Sequence, residues 1–401
     1  MISNLQEIFS NAAKGMKRSA IRELLKLAQN PEIISFAGGL PAPETFPTDV
    51  LADITREVLE ENGAIALQYG ATEGDTKLRE LIAANYRNDG FDITKENVLI
   101  TTASQQGLDL LGKVFIDPGD KVLVGLPSYL GGLAAFNAYQ ADMVGIPFDE
   151  YGMRSDKIEE TLAELKSNNE SPKFIYIIPD FQNPAGVTMP DFRRKEILEI
   201  TKKYNVLIIE DSPYKEIRFE GEHQTSFYAL DGSGQVLNLG TFSKIFVPGF
   251  RIGWMIGHPD IIDKFVIAKQ STDLCTSPFV QKIAAKYIEK GYFSKNLKKT
   301  IQNYKEKKEV MIKAFEKYMP KEVKWTNPEG GLFLFITLPE HLDAGDLFIK
   351  AIEKKVAFVK GSVFHCDGSG KNTMRINFSF VSKEKNLEGV KRLAQVIREA
   401  L

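Results

Sequence analysis

Short apolar runs alternate with amphipathic helical patterns through the middle of the chain. The runs are apolar at every position rather than at every second one, which is typical of strands buried on both faces of a mostly parallel sheet covered by helices. The predicted strands are Val98–Thr101, Val122–Leu126, Phe174–Ile178, Val206–Glu210, Val236–Leu239 and Trp254–Ile256. The predicted helices between them are Gln105–Phe115, Asp156–Ser167 and Asp191–Tyr204. Because ligands bind outside the carboxyl ends of such strands, the residues that follow each strand are the candidates for function.

The pattern changes after about residue 290, where the predicted strands and helices form a second, smaller group. The elements predicted there are a lysine-rich helix at Asn296–Lys317, strands at Leu332–Ile336, Val356–Val359 and Met374–Phe378, and helices at Asp343–Lys355 and Glu384–Glu399. One helical pattern, Ser19–Ala28, and a turn-rich segment precede the first domain. We therefore predict an N-terminal arm, or part of the small domain, at 1–47, a large α/β domain at 48–290 and a smaller α+β domain at 291–401.

Composition narrows the classes of function. Of 401 residues, 43% are hydrophobic and 26% are charged, and 51 Lys and Arg against 53 Asp and Glu give a net charge of −2. This balance argues against a disordered chain and against binding to nucleic acid or a membrane surface through bulk charge. Two cysteines and four separated histidines predict neither a disulfide framework nor a metal site. Without a secretory signal or a long apolar run, the expected location is the cytoplasm.

A lysine and an arginine follow one of the predicted strands. The segment after Val236–Leu239 places Thr241 and Ser243 directly before Lys244, and Arg251 comes seven residues later. Hydroxyls and free backbone N–H groups at a strand end suit a phosphate, which Arg251 could bind with two parallel hydrogen bonds. A lysine in such a place can form an imine with an aldehyde cofactor. Taken alone the Ser-Lys pair is a weak signal, and an ordinary surface lysine stays open.

An acidic residue and an asparagine follow two other strands. Four apolar residues lead to Glu210 and Asp211, and Tyr214 comes three positions later. A carboxylate here could keep a pyridine nitrogen protonated, which makes the ring an electron sink. Upstream, Asn183 lies in an Asn-Pro turn, from which its amide could donate to a phenolate oxygen. For Asp211 and Asn183, a purely structural role in a turn or a helix cap stays open.

Taken in order, these motifs resemble those of the fold type I pyridoxal-phosphate (PLP) aminotransferases of class I/II. The order is N-P-x-G, D-x-x-Y, S-K with an arginine seven residues later, and a C-terminal arginine, Arg375, in Met374–Asn377. The resemblance covers nearly the whole chain from about Ile21. The segments I-R-E-L-L-K at 21–26 and S-F-A-G-G-L-P-A-P at 35–43 resemble the subgroup of 2-aminoadipate (LysN-type) and kynurenine/aminoadipate aminotransferases. The resemblance implies a large domain with a mostly parallel sheet and a smaller α+β domain.

The resemblance implies a cofactor role for each matching residue. Lys244 would bind PLP covalently, Asp211 would pair with the pyridine nitrogen, and Asn183 and Tyr214 would hydrogen-bond the ring oxygen. The residues implied around the phosphate and the ring face are Ser104 and Gln105 at a helix N-terminus, Ser243, Arg251, the ring-stacking Tyr129, and Tyr69, which would reach the phosphate of the other subunit. Helix N-termini offer free amides and a positive dipole end to such a phosphate.

The same resemblance implies the substrate contacts and the reaction. Arg375 would bind the substrate α-carboxylate, Asn183 and Gly39 would also bind the substrate, and Arg22 would meet a distal carboxylate. The expected reaction is transamination between an L-amino acid and a 2-oxo acid, with 2-oxoglutarate as the expected acceptor, in a homodimer with shared active sites. Glutamate, 2-aminoadipate, aromatic and branched-chain donors stay open. Neither a nucleic acid nor a membrane is expected as a partner.

Two alternatives keep the cofactor and change the function. The same scaffold could support a PLP-dependent lyase or decarboxylase, because a fold does not fix a reaction. A PLP-binding transcriptional regulator would need a DNA-binding module ahead of the catalytic part. The segment before about residue 18 is too short for a winged helix, which makes this alternative the weaker one.

Overall fold

The computed structural model describes residues 7–16, 30 and 32–401. The predicted helix at Ser19–Ala28, and Arg22 within it, lie outside these described residues. The described helices are α1 (Asn11–Gly15), α2 (Thr48–Ala66), α3 (Thr76–Asn88), α4 (Ala103–Phe115), α5 (Leu130–Ala138), α6 (Ser155–Ser167), α7 (Asp191–Tyr204), α8 (Phe227–Asp231), α9 (Pro259–Gln270), α10 (Pro278–Glu289), α11 (Tyr292–Tyr318), α12 (Ala344–Glu353) and α13 (Lys383–Arg398).

The described strands form three sheets. Their bounds are β1 (Ile34–Ser35), β2 (Val98–Thr102), β3 (Lys121–Leu126), β4 (Asp142–Asp149), β5 (Gly152–Met153), β6 (Phe174–Ile177), β7 (Leu207–Asp211), β8 (Val236–Thr241), β9 (Ile252–Ile256), β10 (Lys324–Trp325), β11 (Phe333–Thr337), β12 (Val356–Ala357), β13 (Val359–Lys360) and β14 (Thr373–Asn377). Short 3₁₀ turns occur at Pro43–Thr45, Lys95–Asn97, Pro248–Phe250 and Gly361–Phe364.

The largest sheet has eight strands in the order β2-β9-β8-β7-β6-β3-β4-β5. Neighbours from β8 through β4 pair in parallel, while β9 runs antiparallel to both β2 and β8. Strands β6 to β8 are buried at nearly every position. The prediction of an α/β fold with a mostly parallel, helix-covered sheet is therefore confirmed.

Two strands of this sheet were missed by the sequence analysis. Strand β4 begins and ends with aspartates and contains Gly145 and Pro147, so it lacks the continuous apolar run of a central strand. Strand β5 has two residues and pairs with β4 in the antiparallel direction at the sheet edge. Because β5 pairs only with Phe148 and Asp149, the rest of β4 is itself an edge strand, where polar residues and proline are tolerated.

A four-stranded antiparallel sheet, in the order β10-β11-β14-β13, lies in the C-terminal part of the chain. The predicted strand Val356–Val359 is divided in the structure. Strand β12 pairs in parallel with β1 near the N-terminus, whereas β13 pairs with β14. The chain therefore changes sheets at Phe358, and β1 connects the segment before residue 47 to the C-terminal part.

Local chemistry explains where the elements begin and end. Asp75 accepts a hydrogen bond from the N–H of Leu78 and so caps α3, and Ser382 caps α13 in the same way through Lys385. Helix α7 ends at Asn205, whose left-handed φ of 55° turns the chain into β7. In the described part of the chain, no helix is long and apolar enough to cross a membrane.

Candidate active site

The site forms where several strand ends meet. Strand β7 ends at Asp211, β8 leads to Lys244, the segment after β6 carries Asn183, and Arg375 lies in the middle of β14. Helix α4 starts directly after β2 at the same sheet. The positions are far apart in the chain, and the sheet order brings the first three to adjacent strand ends.

A buried chain of hydrogen bonds joins Arg375 to Tyr214 through Asn183. Arg375 is 1% exposed, and its Nη1 donates to Asn183 Oδ1 at 2.9 Å while its Nη2 donates to the Ala37 carbonyl at 2.7 Å. Asn183 Nδ2 donates to the Tyr214 hydroxyl at 3.3 Å. Burial lowers the pKa of Arg375 to about 10, so the group stays a cation at neutral pH. The guanidinium lies 4.3 Å from the Phe333 ring centroid, which contributes a cation–π contact.

The amine of Lys244 lies beside this arginine. It donates a hydrogen bond of 2.7 Å to the Gly39 carbonyl. Burial, and then the positive charges of Arg375 and Arg251, lower the pKa of Lys244 to about 8. A Cβ at Gly39 would lie 3.3 Å from Phe333 Cζ and 4.0 Å from Lys244 Nζ, so the small residue keeps room around the amine. A lysine with this pKa offers a neutral, nucleophilic amine close to physiological pH.

Asp211 is buried with its two carboxylate oxygens in different surroundings. Oδ2 accepts a hydrogen bond of 2.6 Å from the hydroxyl of Tyr176, whereas Oδ1 is buried and has no hydrogen-bond partner among the described residues. Burial raises the pKa of Asp211 to about 7, and the hydrogen bond from Tyr176 opposes that shift. No sequence motif pointed to Tyr176. The available signal was a lone hydroxyl-bearing side chain in the otherwise apolar strand β6.

The N-terminus of α4 is held against the loop that follows Lys244. Ala103, the first residue of α4, has a φ of 60°, and Arg251 has a φ of 53°, both in the left-handed region that residues with a Cβ adopt rarely. The Ala103 N–H donates to the Arg251 carbonyl at 2.9 Å. Strained backbone of this kind is typical of ligand sites. The first N–H groups of the helix, including those of Ser104 and Gln105, lack an intrahelical partner by geometry and suit an anion.

Four hydroxyl and amide side chains, those of Thr241, Ser243, Tyr129 and Gln105, form hydrogen bonds near this helix end. The Thr241 hydroxyl donates to Ser243 Oγ at 3.0 Å, and both residues are buried. Tyr129 donates to Gln105 Oε1 at 3.4 Å, and Gln105 Nε2 donates to the Gly131 carbonyl at 2.9 Å. Burial raises the pKa of Tyr129, and the negative charge of Asp211 raises it further, so the tyrosine stays neutral.

One predicted residue, Tyr69, is not brought into this cluster, and another, Arg251, belongs to it only in part. Tyr69 is 79% exposed, so it is not buried in the site. Arg22 lies outside the described residues. Arg251 is exposed and donates to the Pro248 carbonyl at 3.4 Å, with its backbone hydrogen-bonded to α4. Within the described ranges, no group of three His, Cys, Asp or Glu side chains is placed to hold a metal ion.

Comparison with known proteins identifies the class. The family model for aminotransferase class I and II matches residues 37–393. The chain is 50% identical to aromatic-amino-acid aminotransferase 1 of Thermococcus litoralis over 99% of this chain and 95% of that protein. The chain therefore belongs to the class I and II aminotransferases, as a PLP-dependent enzyme that catalyses transamination.

Solved structures agree with the family over the full chain. The kynurenine aminotransferase of Pyrococcus horikoshii, solved in complex with PMP, KYN and KYA, has a TM-score of 0.96 at 47% identity and covers 100% of this chain and 99% of that chain. LysN, the α-aminoadipate aminotransferase of Thermus thermophilus, complexed with N-(5'-phosphopyridoxyl)-L-leucine, has a TM-score of 0.92 at 39% identity, with 99% and 98% covered. The predicted family, subgroup resemblance, fold type I architecture and cofactor are confirmed.

Proposed function

We propose that this aminotransferase moves the amino group between a broad set of L-amino acids, with glutamate and 2-aminoadipate among them, and 2-oxoglutarate. The observation that carries the proposal is the buried guanidinium of Arg375, which stays charged next to the amine of Lys244. A fixed, buried cation beside a reactive amine suits the α-carboxylate that every amino-acid substrate has.

The residues present fit PLP, and two unpartnered atoms support that fit. Asp211 Oδ1 and Arg375 Nε are buried without a hydrogen-bond partner among the described residues. Buried polar atoms in proteins are otherwise nearly always satisfied, so each of these is available to a ligand. In this proposal Asp211 binds the ring nitrogen, and Asn183 and Tyr214 bind the ring oxygen.

In this proposal, the cofactor phosphate binds at the N-terminus of α4. Its free amides at Ser104 and Gln105, the Ser243 hydroxyl and the Arg251 guanidinium would hold the cofactor phosphate, and Tyr129 would lie against the ring. Ala103 and Arg251, which both have a left-handed backbone conformation, support this role. The hydrogen bond from the Ala103 N–H to the Arg251 carbonyl fixes the helix end relative to the loop that follows Lys244.

Bound PLP supplies an aldehyde that receives the amino group and a ring that accepts the electrons released at the substrate α carbon. Lys244 accepts the α-proton with its neutral amine and later gives a proton back. This role needs a base whose neutral form is available near physiological pH, and lowering the pKa from 10.5 to about 8 makes that form far more abundant there. Arg375 orients the substrate through the carboxylate, and the Asn183 side chain helps to hold Arg375 in place by accepting a hydrogen bond from its Nη1.

The proposed donor range rests on the relatives and on Arg22. One relative is named for aromatic amino acids and another for α-aminoadipate, so side chains of different polarity have to be accommodated within the subgroup. We propose that Arg22 binds the distal carboxylate of acidic donors and is not needed for apolar ones. A charge-assisted hydrogen bond of this kind contributes about 1.5–3 kcal/mol.

A donor panel with 2-oxoglutarate as acceptor tests this proposal. Arg22→Ala should raise the KM for 2-aminoadipate by about ten- to 150-fold and leave leucine and phenylalanine within a few-fold. The matched control is Arg56→Ala, which removes an exposed arginine whose ion pair with Asp53 is 3.6 Å long. Equal losses for acidic and apolar donors would restrict Arg22 to a structural role. Failure of 2-oxoglutarate to accept from any donor would contradict the proposed acceptor.

We also propose a homodimer in which Tyr69 serves the partner's site. Tyr69 belongs to a set of exposed large apolar side chains, namely Ile65 (62%), Leu67 (70%), Tyr69 (79%) and Leu274 (48%). The chain segments that carry Tyr69 and Leu274 lie next to each other, because a Cβ at Gly70 would lie 2.9 Å from Pro278 Cγ. Exposed apolar patches are typical of protein interfaces, and a second copy of the chain would bury this one.

A further inference from the structure

Strand register explains why Tyr176 reaches Asp211. Tyr176 of β6 pairs with Ile209 of β7, and Asp211 lies two residues beyond Ile209. Because side chains at positions i and i+2 of a strand share a face, Tyr176 and Asp211 lie on the same face of the sheet. The hydroxyl then spans the offset and donates to Oδ2 at 2.6 Å.

The ring of Tyr176 is fixed by its packing. It is 1% exposed and meets Phe136 edge-on, with ring centroids 5.4 Å apart. A Cβ at Gly132 would lie only 3.0 Å from Tyr176 Cε1, so α5 packs closely against one edge of the ring. The hydroxyl is therefore held at one position relative to the carboxylate.

We infer that Tyr176 is a positioning residue for the cofactor's ring nitrogen. Its hydroxyl fixes the Asp211 carboxylate with Oδ1 free for the nitrogen, and it keeps the shared proton on the ring rather than on the carboxyl. This inference rests on the proposed function, in which Asp211 pairs with that nitrogen. It adds to that function a residue which none of the motifs contains.

The pKa shifts of Asp211 and Tyr176 support a charged carboxylate that accepts a hydrogen bond from a neutral hydroxyl. A hydrogen bond into a carboxylate stabilises the charged form and lowers its pKa, against the effect of burial, which raises the pKa of Asp211 to about 7. Burial, together with the charge of Asp211, raises the pKa of Tyr176 well above its ordinary value, so the hydroxyl keeps its proton and stays a donor. The other titratable side chains affected by Asp211 are Tyr129 and Tyr214, whose pKa values are raised as well, so they are neutral.

The test uses holoenzyme loaded with PLP that carries ¹⁵N in the ring, and it follows the ¹⁵N chemical shift against pH. In Tyr176→Phe, the ring nitrogen should lose its proton about one pH unit lower, because loss of a hydrogen bond to a charged group is worth about tenfold or more. The value of kcat should fall by about the same factor, with KM within about twofold. Asp211→Asn sets the reference for complete loss of the charged partner.

Tyr304→Phe is the matched control. Tyr304 is fully buried, and its hydroxyl accepts a hydrogen bond of 3.1 Å from the Ala42 N–H, so the substitution removes one buried hydroxyl away from Asp211. It should leave the ¹⁵N titration unchanged. If Tyr176→Phe does not fold, 3-fluorotyrosine at position 176 keeps the shape and makes the hydroxyl a stronger donor, which should move the titration to higher pH.

The outcomes separate the inference from the proposed function. If Asp211→Asn changes the ¹⁵N titration and Tyr176→Phe leaves it as in the wild type, Tyr176 only fills space, and the inference is overturned while the Asp211 pairing stands. If Asp211→Asn leaves the titration unchanged, the pairing itself is wrong, and the inference falls with it. A downward shift in Tyr176→Phe, absent in Tyr304→Phe, supports the inference.

Discussion

Lys244 carries its amine among groups that disfavour a positive charge. Burial removes water from the ammonium form, and the cations Arg375 and Arg251 repel it, so both effects lower the pKa, to about 8. The protonated form dominates below this pKa and the neutral amine above it. Reaction with an aldehyde requires the neutral form, and so the rate of that reaction should depend on pH through this pKa.

We therefore expect cofactor-free protein to react with PLP at a rate that rises up to about pH 8 and then levels off. Stopped-flow absorbance would measure the rate, and borohydride reduction with peptide mapping would place the adduct on Lys244. Arg375→Met removes one of the repelling charges, so its inflection should lie at higher pH. A rate that keeps rising towards pH 10.5, the ordinary value for lysine, would contradict the lowered pKa.

Strand β9 and helix α4 meet at a point where only a glycine fits. A Cβ at Gly253 would lie 2.5 Å from both the Ala103 carbonyl carbon and the Ser104 nitrogen, which are backbone atoms and cannot rotate away. Gly253 pairs with Thr101 across the sheet, so β9 cannot move without disturbing β2. The close approach sets the position of the helix end that the proposed phosphate site uses.

Gly253→Ala should therefore displace the start of α4. We expect a loss of about 1–3 kcal/mol in the free energy of unfolding, as for an overpacked core, and a weaker affinity for PLP by about tenfold or more. Chemical denaturation and fluorescence titration with PLP would measure the two effects. Gly249→Ala is the matched control, because a Cβ at Gly249 would meet nothing within 4 Å. Wild-type affinity in Gly253→Ala would show that the helix end does not hold the cofactor.

The site as a whole is assembled from distant parts of the chain. Ala37 and Gly39 of the N-terminal part accept hydrogen bonds from Arg375 and Lys244, which follow 338 and 205 residues later in the sequence. Tyr69, in contrast, is exposed. In the proposed homodimer, each site would use Lys244 from one subunit and Tyr69 from the other.

Subunit mixing tests this sharing. Lys244→Ala and Tyr69→Ala should each be poorly active alone, whereas a mixture refolded together should regain about a quarter of wild-type activity, because half of the random dimers then hold one complete site. Light scattering would establish the oligomeric state in parallel. No gain on mixing of a proven dimer would show that Tyr69 does not serve the partner's site, and a monomer would contradict the dimer itself.

The hydrophobic pattern by itself determined the order and type of most elements. Helix α7 matches the predicted Asp191–Tyr204, and β3, β6 and β7 lie within one residue of the prediction at each end. These elements are set by local periodicity and by turn residues, which a single sequence displays. The strand-end positions of Lys244 and Asp211 followed from the same pattern.

Only the tertiary structure decided which of these residues meet. The hydrogen bond from Tyr176 to Asp211 depends on the register between two strands, and the division of Val356–Val359 depends on which strand lies beside each half. The charge state of Lys244 likewise depends on Arg375, a residue of another sheet. Register, burial and charge proximity are properties of segments brought together in space, and so no local pattern in the sequence contains them.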